Sequence, residues 1–192
     1  MEILDIFVLF IITTFIMLYV KEDYKNGDVE YVEAYDGRRY LVKVADNNIE
    51  IANKLAVLND KFQKLIVILK KDYANDPRTN FLIRNYNPDK ISESTKDGNY
   101  TSFSLNKEEM IFCLRARNED GTIISDNTMA YVGFHELAHL ATDEIGHTDT
   151  FWKNFKWMLN IAKENGLYMY VDYSRNPERY CGIMITSNIL DT

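Results

Sequence analysis

Cysteine, proline, glycine and histidine are all scarce in this chain of 192 residues. Its two cysteines, Cys113 and Cys181, supply neither a disulfide framework nor a C-x-x-C metal pair, so the expectation is two buried free thiols. The three prolines, Pro77, Pro88 and Pro177, and eight glycines exclude a proline-rich or glycine-rich linker, and the chain has no internal repeat. Positive charge is also in deficit. Lys and Arg number 22 against 29 Asp and Glu, a net charge of -7, and no Lys/Arg stripe stands out. That balance argues against nucleic acid as a partner. What remains is an ordinary folding composition. The hydrophobic fraction of 46% supports a packed core, the charged fraction of 27% argues against disorder, and the length suits about one domain.

One segment does not fit a water-soluble domain. Residues 3–20 read ILDIFVLFIITTFIMLYV, with Asp5 as the single charge. A bilayer core needs roughly 20 apolar helical residues and tolerates about 17. A cleaved signal peptide would carry a basic start, whereas Glu2 and Asp5 stand there, and VKEDYK follows in place of a small-residue cleavage site. An N-terminal core helix is the other rival. The expectation is a transmembrane anchor over residues 1–22, which makes a membrane the partner of this end, and a single domain over 27–192. Lys21 and Lys25 follow the span and no Lys or Arg precedes it, so the positive-inside rule places the domain in the cytosol.

Within the domain, VEYVEAY (29–35) and RRYLVKV (38–44) flank Asp36-Gly37, the pattern of a β-hairpin. Between 46 and about 74, Ile51, Leu55, Leu58, Phe62, Leu65, Leu69 and Tyr73 recur at steps of three and four. They predict one long amphipathic helix, capped by Asp46 or Asn47 and ended by Pro77. Residues 80–100 read as a polar loop. TSFSL (101–105) and MIFCLRA (110–116) read as strands. From Thr128 to about Glu144, after a cap at Asp126 or Asn127, the pattern is apolar nearly all round and predicts a central helix. Gly146 suits its termination, and a further helix runs from near Asp149 to Gly166.

All three histidines lie in FHELAHLATDEIGH, at His135, His139 and His147. His135 and His139 are four apart on the predicted central helix, so their imidazoles project from one face a turn apart. Glu136 lies about 100° round the helix, placed to reach a water on a shared metal rather than to bind the metal itself. This is the H-E-x-x-H arrangement, two zinc ligands and a carboxylate base. Gly146 lets the chain reverse, which brings His147 forward as third ligand; Asp172 and Glu178 are the alternatives. Three imidazoles would leave a fourth position for water. Tyr170, Tyr173 and Tyr180 are candidates for a donor to the oxyanion, and Asp143 for an acceptor behind a ligand imidazole. Phe151, Trp152, Phe155 and Trp157 are expected in the core.

HELAHL…GHTDTFW resembles the WLM-type metallopeptidases and their SprT-like relatives. The likeness rests on His135, Glu136, Leu137, Ala138, His139, His147, Phe151 and Trp152 and is specific over about 127–157. A looser pattern through NPDKISES, FCLRA and YCGIMITSN resembles membrane-anchored WLM-like proteins, including ones of large DNA viruses. The resemblance implies one zinc per chain at His135, His139 and His147, with Glu136 as catalytic acid and base and a protein or peptide as substrate. It also implies a compact zincin-like α+β fold with a small mixed sheet, in which a strand before the active-site helix lines the substrate cleft; MIFCLRA is the candidate. The best-known members cleave proteins crosslinked to DNA and carry basic tails. This acidic chain departs from them there, so a DNA-associated repair protease is the second reading and a zinc-stabilised, non-catalytic peptide-binding module the third.

Overall fold

The computed structural model describes residue 14, residues 29–94, the backbone of 102–105, and residues 109–116 and 122–192. Strands β1 (Val29–Glu33) and β2 (Arg39–Lys43) form the expected hairpin. Gly37 turns it with φ +76°, and Asp36 accepts from the Arg38 amide at 3.0 Å and from the Tyr40 hydroxyl at 2.8 Å. Helix α1 (Asn48–Asp72) buries Ile51, Leu55, Leu58, Phe62, Leu65 and Leu69, the face that the periodicity predicts. Strands β3 (Ile91–Glu93), β4 (Ser102–Leu105) and β5 (Glu109–Phe112) complete a five-stranded mixed sheet in the order β1-β2-β3-β5-β4. Its β1/β2 and β4/β5 pairs are antiparallel, and β2/β3 and β3/β5 are parallel.

Helix α3 (Asp126–Leu140) lies against α1 and carries His135 and His139; α4 (Asp149–Glu164) also packs on it. A small hairpin of β6 (Glu178–Tyr180) and β7 (Ile183–Ile185) follows. Gly133 sets the α1–α3 spacing. A Cβ built there would lie 2.7 Å from Leu58 Cδ1 and 2.8 Å from Phe62 Cζ, so the α3 backbone sits directly on α1 side chains. Phe134 then meets Phe62 edge-on at 5.8 Å.

Three expectations need correction. Residues 80–100 are not one loop. A short helix, α2 (Pro77–Asn85), starts where Asp76 accepts from the Arg78 amide at 2.9 Å, and Pro77 occupies its first turn, where a missing N–H costs nothing. The cysteines are not free thiols: Cys113 and Cys181 form a disulfide with a Cα–Cα distance of 6.2 Å. It closes a sequence separation of 68 and ties the end of β5 to the β6–β7 turn. MIFCLRA begins within β5. β5 lies between β3 and β4, and β4 is the edge strand on that side, packed against α3.

The third correction concerns the fold class. The arrangement is α+β, but no helix among the described residues is long and apolar enough to cross a membrane. The longest, α1, has 25 residues and is broken up by charges such as Glu50, Lys54, Asp60, Lys61 and Lys64. Residues 1–22, where the transmembrane anchor was expected, lie outside the described residues apart from residue 14.

Two stability measurements test this packing. Gly133→Ala should cost about 1–3 kcal/mol in denaturant unfolding, because Leu58 and Phe62 are themselves buried and have little room to yield. An unchanged midpoint would mean that the helices separate freely. Replacing both Cys113 and Cys181 by Ser should remove about 2–4 kcal/mol, the usual contribution of a cross-link over a loop of this size. No loss on substitution would show that the disulfide does not constrain the unfolded chain.

Candidate metal centre

Helix α3 is capped by Ser125, whose side chain accepts from the Thr128 amide at 3.2 Å, one residue earlier than the sequence suggests. Its opposite faces do different work. Gly133, Phe134 and Leu137 are buried, the first two against α1. Tyr131 and His135, four apart, turn to α4, with Phe155 5.4 Å from the first ring and 5.2 Å from the second.

The turn after α3 brings the third histidine back. Thr142 donates to the Ala138 carbonyl at 2.7 Å and accepts from Asn154 Nδ2 at 2.9 Å, which ties the turn to α4. Asn85 Nδ2 donates to the Leu140 carbonyl at 2.9 Å and satisfies an otherwise orphaned helix-end acceptor. Gly146 adopts φ +88°, a conformation that favours glycine, and the chain reverses. His147 follows, and Thr148 caps α4 by accepting from the Phe151 amide at 3.2 Å.

The result is a cluster of three imidazoles. Ring centroids are 5.1 Å apart for His135–His139 and 4.9 Å for both pairs that include His147. His147 Nε2 and His135 Nε2 are 2.9 Å apart, and the ligand atoms of all three residues lie within 4.8 Å of one another. Aromatic neighbours restrain the rings. His139 stacks on Phe151 at 4.1 Å and 22°, and His147 on Trp152 at 5.3 Å and 23°. Burial pushes the His135 imidazole down to about 3, and the neighbouring His139 and His147 add to the shift. A neutral ring with a free lone pair is the form that binds a metal. Three imidazoles converging on one point fit a metal ion, and this cluster can hold one. Glu136 is 5% exposed, so a carboxylate is buried on the same helix, next in sequence to the first imidazole.

The structure thus brings His135, His139 and His147 together and leaves the alternative ligands elsewhere. Asp172 accepts from Ser174 and Arg175 in an exposed turn, and Glu178 accepts from Thr128 Oγ1 at the start of α3. Asp143 is exposed. Tyr173 and Tyr180 are fully buried, and the Tyr170 hydroxyl donates to Asp191 at 2.6 Å. Phe151 and Phe155 are core residues as expected. Trp152 is instead 40% exposed, at the rim over His147. Sequence reasoning missed the Thr142–Asn154 hydrogen bond that fixes the turn; a Thr and an Asn twelve apart carry no signal of pairing.

An uncharacterised protein of Acanthamoeba polyphaga mimivirus is 32% identical to this chain over 177 residues, which is 90% of the chain and 84% of that protein. Uncharacterised proteins of Invertebrate iridescent virus 6 and Invertebrate iridescent virus 3 are 37% and 36% identical over 68 and 67 residues. Those stretches cover 35% of this chain and 38% and 42% of the two proteins. No family profile matches the chain. No solved structure matches it either, so the expected zincin-like fold has no structural neighbour and is withdrawn as a fold assignment. The identity to the mimivirus protein, sustained over most of both chains, makes this chain a member of the same family of viral proteins.

Proposed function

We propose that this protein is a zinc-dependent metallopeptidase in which His135, His139 and His147 hold the metal and Glu136 is the general base. The observation that carries the reading is the convergence of three imidazoles, with the buried Glu136 next in sequence to the first of them. Glu136 follows His135 directly, the place that a general base takes in an H-E-x-x-H helix. The resemblance of HELAHL…GHTDTFW to WLM-type and SprT-like metallopeptidases agrees with the same assignment.

A zinc ion held by this donor set supplies Lewis acidity, bringing the pKa of a water towards neutrality and polarising a carbonyl. The chain's own residues do the rest. Glu136 takes the proton from the attacking water and returns it to the departing amine. Phe151 and Trp152 keep His139 and His147 in register by stacking. β4 offers a place for the substrate: it pairs with β5 on one side, it is the last strand of its sheet among the described residues, and it packs against α3. An extended peptide can add to such an edge through its main chain.

Elemental analysis of the purified chain should find one zinc per molecule, and His139→Ala should abolish binding. A protein free of stoichiometric transition metal after purification without chelators would refute the reading. Glu136→Gln should keep the zinc and the fold while slowing peptide hydrolysis at least about 100-fold, the lower range for a positioned base. Equal rates for the two proteins would remove Glu136 from the chemistry. Zinc-dependent binding of peptides without cleavage by either would favour a binding module.

A further inference from the structure

The histidine cluster has one open side. Of its three members only His147 is exposed; His135 and His139 are partly covered. A molecule that reaches a metal held there passes His147 and the side chains that flank it. Two of these are apolar and stand in water. Ile145, two residues before His147 in the same turn, is 92% exposed. Trp152 is 40% exposed, although its ring stacks on His147 at 5.3 Å.

The fold requires neither exposure. The turn is reversed by Gly146 and tied to α4 by Thr142, and an isoleucine so exposed adds nothing to the core. Phe151 is fully buried and meets all three imidazoles, at 4.9 Å for His135, 4.1 Å for His139 and 4.9 Å for His147. Trp152 adds a second ring on the water side of that packing. Single exposed apolar side chains are ordinary on a protein surface. These two bracket the exposed member of a metal-binding cluster, so they are placed to touch whatever the metal holds. The remainder of the rim has a different character. Asp143, Glu144 and Asp149, in and beside the same turn, are exposed carboxylates.

We propose that Ile145 and Trp152 form a subsite for a large apolar side chain, aromatic or branched aliphatic, on the peptide residue next to the scissile bond. The ring centre of Trp152 is 5.3 Å from that of His147, less than the span of two extended residues at about 3.3 Å each. The residue that meets the indole is therefore one that flanks the bond held at the metal. Contact with it removes apolar surface of Ile145 and Trp152 from water, and an aromatic guest gains ring packing as well. The carboxylates around the turn disfavour aspartate or glutamate at that position by like-charge repulsion. The subsite rests on the peptidase reading of the same centre for its scissile bond, whereas its side-chain preference can be read with a ligand that is not cleaved.

Hydroxamates chelate zinc and offer no peptide bond for cleavage at the metal. The N-acetyl hydroxamates of phenylalanine, leucine, serine and aspartate are titrated calorimetrically into the full-length, zinc-loaded chain. Phenylalanine and leucine should bind at least about tenfold more tightly than serine, equivalent to about 1.4 kcal/mol, and aspartate most weakly. Ile145→Ser, a change at an exposed position, should reduce the preference at least about threefold in protein of matched zinc content. The phenylalanine hydroxamate should also shield Trp152 from acrylamide quenching. Trp152→Phe, which leaves Trp157 as the single tryptophan, should show no such shielding. Equal binding of the phenylalanine and serine hydroxamates would overturn the proposal. So would a preference unchanged by Ile145→Ser, or quenching unchanged by the ligand. Peptides with phenylalanine, serine or aspartate on either side of a candidate bond are assayed in parallel. Cleavage indifferent to these residues would remove the subsite and leave the peptidase standing. Selective, Ile145-dependent hydroxamate binding without cleavage of any peptide would uphold the subsite at the metal and count against the peptidase.

Discussion

The close approach of α3 to α1 at Gly133 is the constraint on which the arrangement depends. With no Cβ there, the α3 backbone rests on Leu58 and Phe62. The helix is thereby held at one depth and one rotation, with Phe134 turned into the core against Phe62. Fixed on that side, the helix must present Tyr131 and His135 to α4. Helical geometry then adds His139 one turn further on. The metal-binding capacity of the cluster is thus set partly by a residue on the far side of the helix that touches no imidazole.

The second restraint is the link between the two helices. Asn85, Thr142 and Asn154 spend their hydrogen bonds on the end of α3 and on the turn after it. Gly146 reverses the chain, and Thr148 starts α4 at once. Phe151 and Trp152 then stand in the first turn of α4, each stacked on one of the rings. Such stacking is individually modest, about 0.5–1.5 kcal/mol for an aromatic pair beyond its burial. Its effect is to narrow the orientations that each imidazole samples before any metal is present. The short spacer between His139 and His147 needs this support, because His147 is itself exposed.

Much of this was legible in the sequence where a local rule applied. Asp-Gly between alternating strands gave the hairpin, periodicity gave the buried face of α1, and the histidine spacing with Gly146 identified three residues that the structure gathers. What escaped was long-range or rested on competing local signals. Pro77 was read as a stop for α1, although Asp76-Pro77 is equally a helix start, and α2 follows it. Cys113 and Cys181 are 68 residues apart, and nothing local announces their disulfide. An apolar run read as a membrane span over residues 1–22 has no counterpart among the described helices. Glu178 entered the reading as an alternative ligand, because a carboxylate's chemistry is visible in sequence while its location at the start of α3 is not.

The central claim is that one metal ion sits among His135, His139 and His147 with a position left open for water. X-ray absorption at the zinc edge on the full-length, zinc-loaded protein tests it most directly. The account predicts a four-coordinate first shell of three imidazole nitrogens and one oxygen at about 2.0–2.1 Å. A shell containing sulfur, fewer than three imidazoles, or a spectrum unchanged when His147 is replaced by Ala would contradict it.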